Sequence, residues 1–273
     1  MPVLNAEKYV VEAIESVLKQ SFRNFEFIII DDGSHDNTKK IIKSFKDKRI
    51  LFVENKHDFI GSLNLGIQKS TGKYIVRMDA DDIMHIDRLR IQYAIMEEEP
   101  NITVCSTWMF YIGEKTRNGS IAQTLHGLVE NPLIELLLGN FIFHPTTMIR
   151  KDFLDKYNLQ YQHYDYAEDY KLWFEIVKKG GVLYIESQPL LYYRISENQV
   201  THTKKEEQTV TTDNIRLEIL EYLVNQNRAN YGYLDDFYRN FISLKKDKLI
   251  DSNLTYSFFY NFFKENKNKL KVT

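Results

Sequence analysis

A short apolar run that ends in three carboxylates constrains this chain more than any other feature. Residues 73–82 read Lys-Tyr-Ile-Val-Arg-Met-Asp-Ala-Asp-Asp. The apolar, β-branched part predicts a short buried strand, and Asp79, Asp81 and Asp82 crowd its carboxyl end. Carboxylates packed that closely repel, so the cluster is costly unless a cation neutralises it. Hard oxygen ligands on a strand end suit Mg²⁺ or Mn²⁺, ions that often bridge to a substrate diphosphate. The residues point to a metal-dependent site for a nucleotide-activated substrate. The competing reading is a solvated acidic turn before a helix expected from Asp87, where acidic side chains are common.

The rest of the pattern places that turn in a fold. Helical spacing covers residues 9–19, 37–45, 62–70 and 87–99, and short apolar runs at 25–30, 50–53, 74–76 and 103–111 predict strands. Such alternation predicts an α/β domain with a mostly parallel central sheet flanked by helices. Ligands in that architecture bind beyond the carboxyl ends of strands. The run at 25–30 also ends in an acidic pair, Asp31-Asp32, followed by Gly33-Ser34. Two polar features therefore fall on one expected face. Further on, residues 113–131 predict a loop, 132–138 a short helix, 167–179 a helix opening on Glu168-Asp169, and 182–185 and 190–193 two short strands. After Lys204 the pattern is helical.

Composition excludes several classes. A hydrophobic content of 43% supports a real core, and a formal net charge of −2 gives no electrostatic case for nucleic acid. The single cysteine, Cys105, rules out an internal disulfide and reads as an inert core thiol. No apolar run is long enough to span a bilayer, and no signal peptide is visible, which makes the cytoplasm the expected location. Neither a Gly-x-Gly-x-x-Gly turn nor a Gly-Lys-Ser/Thr loop is present, which disfavours dehydrogenases and P-loop enzymes. A metal-dependent phosphatase fits poorly, because Asp81-Asp82-Ile83 does not supply the local pattern of a nucleophilic aspartate.

Taken together, these residues resemble glycosyltransferase family 2, inverting enzymes with the GT-A nucleotide-sugar fold. The matching stretches are residues 2–7 (Pro-Val-Leu-Asn-Ala-Glu), 26–34 with their Asp-Asp-Gly-Ser ending, 64–67 (Asn-Leu-Gly-Ile), 72–82, and Glu168-Asp169. They occur in the family's order. The resemblance implies a GT-A (Rossmann-like) catalytic domain over residues 1–203 and a helical C-terminal extension over 204–273.

It also implies roles. Pro2, Val3, Asn5 and Glu7 would line the uridine pocket, and Asp32 would accept a hydrogen bond from the uracil ring. Asn64 and Ala80 would lie along the donor, Asp79 would contact the ribose, and Asp81 would hold the Mn²⁺ or Mg²⁺ that grips the diphosphate. Asp82 would support it from behind. Asp169 would be the general base, taking the acceptor hydroxyl's proton as that oxygen attacks the anomeric carbon and inverts it. Glu168 would either orient the acceptor or sit in the helix's first turn for the dipole's sake. His144, in a His-Pro-Thr segment, would face the diphosphate or acceptor, or be structural. Arg194 would close over the diphosphate, or form a surface ion pair. His202 is a further candidate contact. His85, His126 and His163 have no supporting context, and Trp108 and Trp173 read as core.

Two departures from the family stand out. Family members carry a short apolar strand before the segment that matches Met1-Pro2. That strand would lie mid-sheet, so its absence would put the floor of the uridine pocket in doubt. Many members also have arginine where this chain has Leu63, which removes one nucleotide contact. The C-terminal segment carries Leu254, Tyr256, Phe258, Phe259, Tyr260, Phe262 and Phe263, then Lys264, Lys267, Lys269 and Lys271. Aromatics beside lysines suit peripheral contact with an anionic membrane, as a lipid-linked acceptor would favour. The alternative is a helix packed on the core. The expected function is inverting transfer of a hexose or N-acetylhexosamine from a UDP-sugar to a glycan or lipid-linked saccharide acceptor in surface polysaccharide synthesis. The alternative is a sugar-nucleotide-binding protein without transfer activity.

Overall fold

The computed structural model describes residues 1–113, 119–195 and 204–272. His202 lies outside the described residues. In chain order the elements are β1 (Pro2–Val3), α1 (Val10–Leu18), β2 (Phe27–Asp31), α2 (Thr38–Ser44), β3 (Ile50–Glu54), α3 (Phe59–Lys69), β4 (Tyr74–Val76), β5 (Ile83–Met84), α4 (Arg88–Glu98), β6 (Ile102–Gly113), β7 (Ile121–Ala122) and β8 (Gly127–Leu128). Then come α5 (Pro132–Leu136), a 3₁₀ turn (His144–Thr146), β9 (Met148–Arg150), α6 (Lys151–Tyr157), α7 (Glu168–Lys178), β10 (Val182–Ile195), α8 (Lys205–Asn227), α9 (Tyr233–Lys246) and α10 (Ser252–Glu265).

The chain divides into two compact units. One holds Met1–Val129, Ile142–His163 and the segment from Gly181 that forms β10. The other holds Glu130–Phe141, Tyr164–Gly180 and the C-terminal helices. The expected boundary between residues 203 and 204 is linear, whereas these units are discontinuous in sequence.

In the first unit, β1, β2 and β3 form a parallel sheet in that order, with Pro2 opposite Ile30 and Ile28 opposite Leu51. A second sheet runs β4-β9-β6-β10-β5, with β7 on β6 and β8 on β10. Within it β6 and β10 are parallel. β9 runs antiparallel to both β4 and β6, and β5 runs antiparallel to β10, so this sheet is mixed. Sequence alternation does not reveal β5, because two residues after an acidic turn carry no period. The two strands expected near 182–193 are one long strand with irregular register around Pro189, where the missing N–H interrupts the ladder.

The core of this unit forms where α1 lays Val10, Ala13, Ile14 and Val17 against Phe27 and Ile29 of β2 and Ile42 of α2. Each fully buried aliphatic side chain contributes about 1.5–3 kcal/mol. Met78, Ala80 and Met84 belong to the same cluster, so the acidic turn is fastened to the core by its own apolar residues. Cys105 is sealed there too, its thiol pushed up to about 12 by burial, as expected of an inert core residue.

In the second unit α7 buries Tyr170, Trp173, Phe174 and Val177, and α8 buries Ile215, Ile219, Leu223 and Val224. The aromatic stripe of α10 is split. Tyr256, Phe259 and Phe263 are fully buried, and Phe258 stacks on Phe241 of α9 at 4.7 Å. Lys267 pairs with Glu130 at 3.3 Å, and Lys264 lies 3.8 Å from Glu135. Most of the rings and two of the lysines that suggested membrane contact are thus engaged within the unit. Among the described residues no helix is long and apolar enough to cross a membrane.

Candidate active site

The two acidic strand ends both lie in the first unit. At the end of β2, Asp31 is fully buried, and its Oδ2 accepts from the main-chain N–H groups of Gly33 (3.2 Å) and Ser34 (3.1 Å). Gly33 takes a φ of +90°, a conformation that L side chains rarely adopt, so glycine is required there. Asp32 donates its N–H to the Val3 carbonyl at 2.8 Å. Its Oδ1 accepts from the Asp58 N–H (2.7 Å) and the Ser62 hydroxyl (2.8 Å). One carboxylate oxygen of Asp32 is thereby fixed, while Oδ2 is neither bonded among the described residues nor sealed from solvent. An oriented carboxylate with one open oxygen is what recognition of a ring N–H requires. Ser62 and Asp58 escape sequence reasoning, since a helix-start serine and its cap are common everywhere.

The expected pocket residues around β1 mostly hold loops. The Asn5 Oδ1 accepts from the His35 N–H at 2.9 Å, and the Asn5 N–H donates to Ser34 Oγ. Glu7 Oε2 accepts both from the Asn37 N–H (3.0 Å) and from the Asn37 amide (2.8 Å). Pro2 and Val3 form β1 itself. The Asn64 amide donates to the Tyr161 carbonyl and accepts from the Tyr161 N–H, each at 2.9 Å. Leu63 is buried beside it.

The second acidic turn is shaped by two arginines. Arg77 forms an ion pair with Asp79. Arg194, at the end of β10, donates its main-chain N–H to Asp82 Oδ1 (2.9 Å) and its Nε–H to the Asp81 carbonyl (2.8 Å). Its guanidinium also meets Glu12 at 2.6 Å and lies 4.3 Å from the centre of the Tyr9 ring. Arg194 therefore clamps the turn. The contact with Glu12 is the ion pair considered from its sequence, joined here to two hydrogen bonds with the turn. Ala80 is buried between the carboxylates. Burial and then the neighbouring Asp79 push the Asp81 carboxyl up to about 6. Asp82 is raised well above the carboxylate range by burial, then by Asp79 and Asp81, and its Oδ2 is buried without a hydrogen bond.

A divalent cation fits this chemistry. Asp79 already has its counter-charge in Arg77, whereas Asp81 carries a disfavoured charge that a cation would neutralise. Among the described residues no group of three or more His, Cys, Asp or Glu side chains is arranged to hold a metal. Asp81 would consequently share the ion with oxygens of a ligand.

His144 is buried, and its Nε2 lies 2.8 Å from the Tyr161 hydroxyl. Burial, then Arg77, holds its imidazole well below the usual range, so it is neutral. In the second unit, Glu168 and Asp169 open α7. Glu168 is buried. Asp169 Oδ2 accepts from the Asn140 amide at 2.8 Å, a partner that sequence spacing does not reveal. Trp173 is fully buried, as read from sequence.

Comparison with known proteins names the class that this fold and turn define. The profile of glycosyl transferase family 2 matches residues 1–158, and the chain belongs to that family. An uncharacterized glycosyltransferase of Haemophilus influenzae is 34% identical over 234 residues, covering 81% of this chain and 72% of the relative. The Escherichia coli protein WfgD, a UDP-Glc:alpha-D-GlcNAc-diphosphoundecaprenol beta-1,3-glucosyltransferase, is 29% identical, covering 76% of this chain and 80% of WfgD. Staphylococcus aureus TarS (residues 1–349) in complex with UDP-GlcNAc superposes with a TM-score of 0.64 at 20% identity, covering 84% of this chain and 73% of that one. The mannosyltransferase PcManGT of Pyrobaculum calidifontis, in complex with GDP-Man and Mn²⁺, gives 0.56 at 12% identity, covering 96% and 82%. The fold is thus GT-A, and the protein is a glycosyltransferase.

Proposed function

We propose that this glycosyltransferase transfers a hexose or N-acetylhexosamine from a UDP-sugar to a lipid-linked or other saccharide acceptor, with inversion, in the assembly of a surface polysaccharide. The observation that carries the reading is the clamped acidic turn, in which Arg77 occupies Asp79 and the charge on Asp81 is left disfavoured. WfgD, which takes UDP-Glc and a diphosphoundecaprenol-linked acceptor, supports the choice of donor and acceptor class. So does Asp32, whose Oδ1 is held by Asp58 and Ser62 and whose other oxygen would accept from uracil.

Asp81 would hold Mn²⁺ or Mg²⁺ together with the donor's phosphate oxygens, with Asp82 supporting the turn. The ion would offset the charge that develops on the departing diphosphate. Asp79 would contact the ribose. Asp169, oriented by Asn140, would accept the proton of the attacking acceptor hydroxyl. Attack opposite the leaving group turns an α-linked donor into a β-linked product.

The test is a transfer assay with a panel of UDP-sugars, Mn²⁺ and a GlcNAc-diphospholipid acceptor, read by anomeric NMR of the product. Released UDP and a β-linkage support the proposal. An α-linked product contradicts inversion, and turnover of GDP- or dTDP-sugars only contradicts the donor assignment.

A further inference from the structure

Arg88, the first residue of α4, is fully buried, and so is Gln92 one turn further on. The Arg88 Nε–H donates to Gln92 Oε1 at 2.9 Å. The Gln92 amide nitrogen donates to the carbonyls of Cys105 (2.7 Å) and Thr146 (2.9 Å). Both of those partners are acceptors only, so the amide must stand with its oxygen toward Arg88. The guanidinium is thereby oriented, and its Nη2 donates to the carbonyls of Arg77 (3.0 Å) and Thr147 (3.3 Å).

The two carbonyls bear on the acidic turn. Arg77 is the first residue after β4, and its side chain pairs with Asp79. Thr147 immediately precedes β9, and its carbonyl also accepts the Arg77 N–H at 3.1 Å. Arg88 therefore closes a loop, from residue 77 to residue 88, that contains Asp79, Asp81 and Asp82, and it moors the start of that loop to β9. Arg194 holds the far side of the turn through Asp81 and Asp82.

A buried guanidinium is a costly way to fasten a loop, because the charge leaves water and an apolar side chain of similar volume often serves stability as well or better. Arg88 Nη1 is buried without a hydrogen bond, and so is Asp82 Oδ2 in the same loop. These polar groups do not maximise stability. A rigid forked donor supplies what an apolar residue does not, a fixed position for two carbonyls at once.

We propose that Arg88 is a positioning residue of the donor site, setting through the Arg77 and Thr147 carbonyls where Asp79 and Asp81 stand to receive a divalent cation and the diphosphate. The proposal rests on the donor reading above. Arg88 touches neither ligand and acts through the backbone of the turn.

The test is the Mn²⁺ concentration that half-saturates UDP binding, measured by calorimetry below the melting temperature of each variant. Arg88→Lys keeps the charge but not the fork, and Gln92→Met removes the amide that orients it. Leu89→Ala opens a cavity in the same helix, at a buried residue of the core, and reports what destabilisation alone does. Support from behind a metal ligand is worth about 10–100-fold in metal affinity. Arg88→Lys should therefore raise the half-saturating Mn²⁺ concentration about tenfold or more, and Gln92→Met should raise it in the same direction. Leu89→Ala should lower the melting temperature and leave the concentration within twofold of wild type. Arg88→Lys and Gln92→Met both within twofold of wild type, or an equal rise in Leu89→Ala, overturns the proposal alone. Wild type whose UDP binding is absent or independent of Mn²⁺ overturns the donor reading and the proposal with it.

Discussion

The side-chain amide of Asn64 grips the main chain of Tyr161 at both ends, mimicking one rung of a β-ladder between α3 and the segment after α6. Tyr161 in turn meets His144 through its hydroxyl. Asn64 is in this way the fastening of a loop. Each of the two hydrogen bonds contributes about 0.5–1.5 kcal/mol, and removing the amide also leaves two main-chain groups unpaired. Asn64→Ala is expected to lower the unfolding free energy by about 1–3 kcal/mol in urea titration while Mn²⁺-UDP affinity changes less than threefold.

His144 gives the pH dependence of stability a definite sign. Its folded-state value lies well below the unfolded reference near 6.5. Above that pH the ring is neutral in both states and contributes nothing. As pH falls below about 6.5, the unfolded chain takes up a proton that the folded protein refuses, and stability drops by up to about 1.4 kcal/mol per pH unit. Urea titrations at pH 7.5 and 5.5 should show a smaller loss for His144→Gln than for wild type. An equal loss would mean that the imidazole is not held neutral.

Asp81 acts in the opposite direction. Its value is raised to about 6 in the folded state, so at pH 7.5 its charge destabilises the metal-free protein. Proton uptake returns stability as pH falls through 6 toward the unfolded carboxylate value. Asp81→Asn is therefore expected to raise the metal-free melting temperature at pH 7.5 by about 2–4 °C, with little effect at pH 4.5. Differential scanning calorimetry at the two pH values checks both halves.

Gly61 shows how close packing reverses an ordinary rule. Gly→Ala within a helix usually stabilises by about 0.4–1 kcal/mol. A Cβ at Gly61 would overlap the Asp58 carboxyl, which caps α3 by accepting the Gly61 N–H at 2.9 Å. Loss of that cap costs about 1 kcal/mol. Because the Asp58 N–H also holds Asp32, Gly61→Ala should lower both melting temperature and UDP affinity.

Much of this was legible in the residues. The helices at α1, α2, α4 and α7 follow from apolar spacing, and both acidic strand ends from abrupt changes of composition. What escaped was short or non-local. β5 and β7 to β9 are too brief to carry a period, and α6 hides between an apolar strand and a polar loop. The discontinuous second unit depends on α7 packing with helices far along the chain. Sequence reveals the Arg194 guanidinium but not the Glu12 and Tyr9 that it meets. Asn140 was invisible for the same reason: its meaning lies in Asp169, distant in sequence.

Separating the base from the binding site calls for one conservative change. Asp169→Asn retains a partner for the Asn140 contact but cannot accept a proton. Transfer should fall by about 10²–10⁴-fold, while Mn²⁺-dependent UDP binding stays within threefold of wild type. Steady-state kinetics and calorimetry on one preparation check the two halves together.

The most direct test of the donor site is the melting temperature of wild type and Asp81→Asn with UDP, with Mn²⁺, and with both. A ligand that binds only the folded state must raise it. Since the described residues supply too few ligands to hold a metal by themselves, each component alone should shift wild type little and the pair several degrees, with the joint shift abolished in Asp81→Asn. A joint shift that survives unchanged in Asp81→Asn, or no shift of wild type with both present, would contradict the assignment.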